Sequence, residues 1–80
     1  MTPDQITEAL RAALPDAMID VRSDDNTHFE ATVIDAGFAG MRPLARHQKV
    51  YKVLGSAVGR EIHALALRTL TPQEHAAGGN

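Results

Sequence analysis

Four histidines, His28, His47, His63 and His75, are the only side chains of this sequence that titrate near neutrality, because cysteine is absent. Without a thiol the chain cannot form a disulfide, supply a thiolate nucleophile or build an all-cysteine zinc or iron–sulfur site alone. Metal chemistry of its own must run through imidazole or carboxylate. Carboxylates crowd the run Ser23-Asp24-Asp25-Asn26, yet adjacent acids in a polar turn are turn formers before they are an acid–base pair. The serines, Ser23 and Ser56, lie outside any Gly-x-Ser-x-Gly setting, and neither a Walker loop nor a Gly-x-Gly-x-x-Gly run is present. The chain therefore reads as a binding protein and not as an enzyme.

Charge is divided along the chain. Residues 1–41 hold two basic residues against eight acids, whereas 42–68 hold six basic residues against Glu61 alone. One segment can meet an anion although the whole molecule, at a net charge of −2, has no bulk attraction for nucleic acid. Within it Arg42, Arg46, Lys49 and Lys52 recur at spacings of three and four, which on a helix gives either a solvated face or a phosphate-binding stripe. Gly37-Phe38-Ala39-Gly40 spells the Gly-x-x-Gly of nucleic-acid-gripping KH loops. Such a loop joins two helices, however, and here the glycines leave a strand and enter a helix, as a turn around a buried Phe38 would require.

The elements that must position these groups follow from patterning. Eighty residues make one domain with a thin, aliphatic core. Thr2-Pro3-Asp4-Gln5 combines an N-cap, a proline at the first helical position and a capping-box partner, and Ile6, Leu10, Ala13 and Leu14 form one apolar stripe that Pro15 ends. Ala17, Ile19 and Val21, then Phe29, Ala31 and Val33, alternate with polar residues on either side of the Ser23–Thr27 turn, which predicts a hairpin with one wet face. Pro43 opens a second helix with Leu44, Val50, Tyr51, Leu54 and Val58 as its apolar face and the basic residues away from it. Residues 62–67 alternate with both sets largely apolar, which predicts a third strand that is central or more fully covered than the hairpin. Thr71-Pro72-Gln73-Glu74 repeats the capping arrangement and starts a last short helix. The expected fold is α+β, in the order α-β-β-α-β-α, with a three-stranded mixed sheet and helices on one face, since a β-α-β step crosses over right-handed between parallel strands. The domain is expected over 1–75, with 76–80 as a disordered tail. No apolar run approaches a membrane span, and the expected location is the cytoplasm.

In this order Phe38-x-Gly40, then Leu44-x-Arg46-His47-Gln48-x-Val50-Tyr51-x-x-Leu54, Ile62-His63-Ala64-Leu65 and Leu67-x-Thr69-Leu70-Thr71-Pro72-x-Glu74 resemble the BolA family. The resemblance covers nearly the whole chain. The short loop between the first two strands, with Thr27-His28-Phe29, is similar to the IbaG-like branch. Two positions depart from the family pattern: Gln48 stands where many relatives have arginine, which lightens the basic stripe, and His75 where many have tryptophan.

The resemblance implies a KH-like fold without a working KH loop. It also implies a non-enzymatic partner of a monothiol glutaredoxin that shares a [2Fe–2S] cluster with it and with glutathione, for iron–sulfur cluster trafficking, assembly or iron sensing. No group would be held tightly by the isolated chain, which is expected as a monomer or weak homodimer without a membrane partner. His63 matches the family's histidine ligand; its alternative is a strand histidine hydrogen-bonded inside a packed layer. The second ligand comes from the hairpin loop in the family, and the nearby candidate here is His28, whose alternative is an exposed strand residue. Asp24 or Asp25 would be hard oxygen donors, poorly suited to such a cluster. His47 reads as a partly exposed helix residue and His75 as a surface residue. The runner-up function, also known in the family, is DNA binding in transcriptional control of stress response and morphology through Arg42, Arg46, Lys49 and Lys52.

Overall fold

The structure is a computed structural model that describes residues 1–78. The elements follow the order α1 (Pro3–Ala13), β1 (Met18–Arg22), β2 (His28–Ile34), α2 (Pro43–Leu54), β3 (Ala64–Leu70) and α3 (Pro72–Ala76), with 3₁₀ turns at Ala36–Phe38 and Gly55–Ala57. This is the expected α+β architecture of three helices and a three-stranded mixed sheet. Both capping boxes form: Thr2 Oγ1 accepts from Gln5 N while Gln5 Oε1 accepts from Thr2 N, and Thr71 and Glu74 repeat the exchange. Each box satisfies two of the donors that a helix start leaves unpaired.

β1 pairs antiparallel with β2, Met18 opposite Ile34 and Arg22 opposite Glu30, while β2 pairs parallel with β3, His28 opposite Ala64 and Ile34 opposite Leu70. The strand order is β1-β2-β3, so β2 is central and β3 lies at an edge, not in the middle as its composition suggests. The reason lies in residue size. Leu65 and Leu67 of β3 pack partly buried against the core, but Ala64 and Ala66 stand on the exposed face, apolar in name and too small to demand cover. The strand also starts later than the alternation implies. Ile62 is fully buried ahead of it, bridged to Val58 through a turn in which Gly59 adopts φ +90°.

The core lies between the sheet and the helices. Ile6 and Leu10 of α1, Phe29 and Val33 of β2, Val50 and Leu54 of α2, and Phe38 and Ile62 form one buried cluster. Phe38 has no exposed surface, in keeping with a Gly37–Gly40 turn built around it, and Gly40 takes φ +78°. On α2 the expected face is corrected. Leu44 is 70% and Tyr51 37% exposed, while the stripe that faces inward is Arg46, Val50 and Leu54 at intervals of four. A guanidinium can hold a core position only when its donors are met, and they are. Arg46 Nε donates to Met41 O at 2.9 Å, and Nη1 and Nη2 reach Glu74 Oε1 and Oε2 at 2.6 and 3.2 Å.

At the far end α3 closes at Ala76 with Ala77 as its cap. Of the segment 76–80 expected as a tail, residues 79 and 80 lie outside the described residues. No helix among the described residues is long and apolar enough to cross a membrane.

Candidate functional site

The hairpin loop between β1 and β2 is wired by short polar side chains. Ser23 Oγ accepts from Asn26 N at 2.9 Å and donates to His28 O at 2.6 Å, and Asn26 takes the left-handed conformation at φ +58° that asparagine tolerates. Asp25 Oδ1 accepts from the backbone N–H of both Thr27 and His28, at 3.0 and 2.9 Å. Its other oxygen, Oδ2, lies 2.8 Å from His28 Nδ1. The two backbone donors and the imidazole hold the Asp25 carboxyl well below the usual carboxylate range, so it stays charged at neutral pH.

β2 then alternates, burying Phe29 and leaving the His28 side chain 63% exposed. The chain returns to this point from α2. Thr27 O accepts from both His63 N, at 2.7 Å, and Ala64 N, at 3.2 Å, which ties the residue before β3 to the end of the loop. His63 is exposed, not sealed in the aliphatic layer. Its ring stacks on that of His28, with 5.6 Å between centroids and 19° between planes. The two histidines expected as ligands, 35 positions apart in sequence, thus become neighbours. Beside them a groove of about 460 Å³ is lined by Arg22, the Ser23–Asp25 turn, His28, Ala64 and Ala66.

Two soft-to-borderline nitrogen donors fit an iron–sulfur centre better than oxygen does, but they do not complete one. Among the described residues no group of three or more histidine, cysteine, aspartate and glutamate side chains is arranged to hold a metal ion. The pair on its own falls short of the four ligands that such a cluster takes. His47, half-buried on α2, and His75, exposed on α3, stand apart from the pair.

The basic stripe is thinner than its spacing suggests. Arg42, Lys49 and Lys52 are exposed, but Arg46 is 7% exposed and spent on Glu74, with Nη1 also 3.3 Å from Thr69 O. It is therefore withdrawn from any phosphate contact. Lys49 and Arg46 both approach the Phe38 ring, at 6.0 and 5.8 Å from its centroid. Sequence reasoning passes over Asp25 as a turn former. The signal was an acid three positions before a histidine at a loop end, where a side chain can cap the turn and reach the ring together.

A family model described as BolA-like protein matches residues 7–74. A protein from the rpoN–murA intergenic region of Acinetobacter guillouiae is 40% identical over 75 residues, covering 92% of this chain and 89% of that one. A Vibrio cholerae protein named DNA-binding transcriptional regulator BolA is 40% identical over 67 residues, which cover 84% of this chain and 63% of the regulator's length. Among solved structures, a BolA homologue from Coxiella burnetii superposes with a TM-score of 0.82 at 36% identity, over 95% of this chain and 97% of that one.

Proposed function

The chain belongs to the BolA-like protein family, and from that premise we propose that it is a non-enzymatic, cytoplasmic partner of a monothiol glutaredoxin. In this reading it lends two imidazole ligands to a [2Fe–2S] cluster that is cargo for iron–sulfur trafficking, assembly or sensing. The observation that carries the proposal is the stacked pair of exposed rings, His28 and His63. A [2Fe–2S] centre takes four protein or small-thiol ligands, and imidazole in place of thiolate raises its potential. This chain has no thiol, so the glutaredoxin and its glutathione provide the sulfur donors. Assembly is a ligand exchange: His28 and His63 take the places vacated by one of two glutaredoxins that hold the cluster with glutathione.

The test mixes wild type and His63→Ala with a cluster-loaded monothiol glutaredoxin and compares visible circular dichroism. A new spectrum with wild type and none with the variant is the expected result. Equal spectra would remove His63 from the site.

A second reading, nucleic-acid binding, is favoured by one observation: Arg42 at the N-cap of α2 and Lys49 and Lys52 on the helix are all exposed. The name of the Vibrio cholerae relative points the same way.

A further inference from the structure

Resting on the reading of His28 as a ligand, we propose that Asp25 is a positioning residue that keeps the His28 proton on Nδ1 and so presents Nε2 as the ligating atom. A neutral imidazole carries one proton, and the partner of one nitrogen decides which nitrogen is free to bind a metal. Two groups lie within reach of Nδ1: Asp25 Oδ2 at 2.8 Å and Thr27 Oγ1 at 3.1 Å. A hydroxyl donates or accepts, so Thr27 serves either tautomer, whereas an ionised carboxylate only accepts and therefore selects Nδ1–H.

The carboxylate is itself held in place. Its Oδ1 receives the backbone N–H of Thr27 and His28, and Ser23 Oγ lies 3.2 Å from the same oxygen. The turn thereby aims Oδ2 at the ring of the residue that ends it. Thr27, held by Asp25 through its N–H, also receives the His63 N–H on its carbonyl. One acid thus orients the first imidazole and anchors the segment that carries the second.

Two variants separate orientation from fold. Asp25→Asn keeps an oxygen for the two backbone donors but offers an N–H₂ to Nδ1, which turns that nitrogen into an acceptor and moves the ring proton to Nε2. Asp25→Ala removes both functions and returns the ring to the preference of free imidazole, with the proton mainly on Nε2. Long-range ¹⁵N–¹H correlation on the isolated full-length chain, at a pH where its histidines are neutral, reads the tautomer directly without any cluster. The expected result is Nδ1–H at His28 in wild type and Nε2–H in both variants, with the His63 signals as internal reference. Nε2–H in the wild type overturns the proposal whether or not a cluster binds.

The same proteins are then titrated with a [2Fe–2S]-loaded monothiol glutaredoxin and followed by visible circular dichroism. Both Asp25 variants should weaken assembly on the order of 10–100-fold, the range for losing a carboxylate behind a histidine ligand, and Asp25→Asn should do so with amide signals changed only in and beside its loop. If the Asp25 variants assemble like wild type while His63→Ala does not, positioning by Asp25 is overturned and the cluster reading stands. If His63→Ala also assembles like wild type, the cluster reading fails, and the tautomer result alone decides whether Asp25 orients the ring.

Discussion

Arg46 and Glu74 meet through two parallel hydrogen bonds, Nη1 to Oε1 at 2.6 Å and Nη2 to Oε2 at 3.2 Å, across 28 positions of sequence. Glu74 is at the same time the capping-box residue of α3, its Oε1 accepting from Thr71 N at 2.9 Å. One carboxylate therefore starts a helix and docks it onto α2. Arg46→Ala leaves that carboxylate without its cation and the Met41 and Thr69 carbonyls without their donor. The expected outcome is a fall in Tm of at least about 5 °C by thermal circular dichroism, against a change within about 0.5 kcal/mol for the exposed Lys52→Ala. Equal effects would show that the two cations are equivalent.

The same carboxylate sets an acid limit. Its hydrogen bonds to Arg46 and then to the Thr71 N–H lower the Glu74 pKa from 4.5 to about 2. Between those values the unfolded chain binds more protons than the folded one, so stability rises with pH across the interval and levels off above it. Urea titrations at a series of acidic pH values should show wild-type stability lost as pH falls through this window, with a shallower fall in Glu74→Gln. Asp25, lowered by the His28 and Thr27 donors, adds a loss of the same sign. An unchanged slope in Glu74→Gln would assign the acid sensitivity elsewhere.

How far the sequence discloses this molecule depends on the range of the interaction. Capping boxes, proline helix starts and the hairpin are local, and each appears where its few residues place it. Arg46 is the opposite case. Its charge argues for solvent, and only a partner 28 positions away makes an inward place tolerable. The edge position of β3 is likewise invisible to an alternation pattern that counts Ala64 and Ala66 as equal to leucines. Resemblance to a family singles out His63 and His28, but nothing local brings them together. Their contact needs the parallel pairing of β2 with β3 and the shared Thr27 carbonyl.

Glycines 37 and 40 bend the chain around Phe38, whose side chain is wholly buried. Phe38→Ala should cost about 3–5 kcal/mol in denaturant unfolding, the usual range for truncating a core phenylalanine. Gly40 sits at φ +78°, so Gly40→Ala should cost about 1–2 kcal/mol from backbone strain alone. A Cβ on Gly37 would lie 2.9 Å from Asp35 Oδ2, the end of a side chain that can swing away, and the cost there should be smaller. Near-neutral values at both Phe38 and Gly40 would argue that the segment is a binding loop and not a core turn.

Salt distinguishes the nucleic-acid reading. With Arg46 engaged internally, at most Arg42, Lys49 and Lys52 of the stripe can release counterions from duplex DNA, so the slope of log K against log salt attributable to α2 should not exceed about 0.9 per contact in magnitude. Fluorescence anisotropy with a labelled duplex measures it. Lys49→Ala and Lys52→Ala should each reduce the slope by about 1 if the helix binds phosphate. No change in slope would remove α2 from such an interface.

The sharpest test of a shared site is whether its two halves act as one. His28 and His63 stack at 5.6 Å and are linked through Thr27, so as ligands of one centre they cannot contribute independently. Removing either ring leaves a vacancy that the remaining imidazole cannot fill, and removing the second then has little left to destroy. In titrations with cluster-loaded glutaredoxin, each of His28→Ala and His63→Ala should weaken assembly at least on the order of tenfold, and the double variant should be no worse than the weaker single one. Losses that multiply would mean that the rings contact the partner separately, as surface residues with no common ligand, because independent contacts add in free energy whereas two ligands of one centre do not.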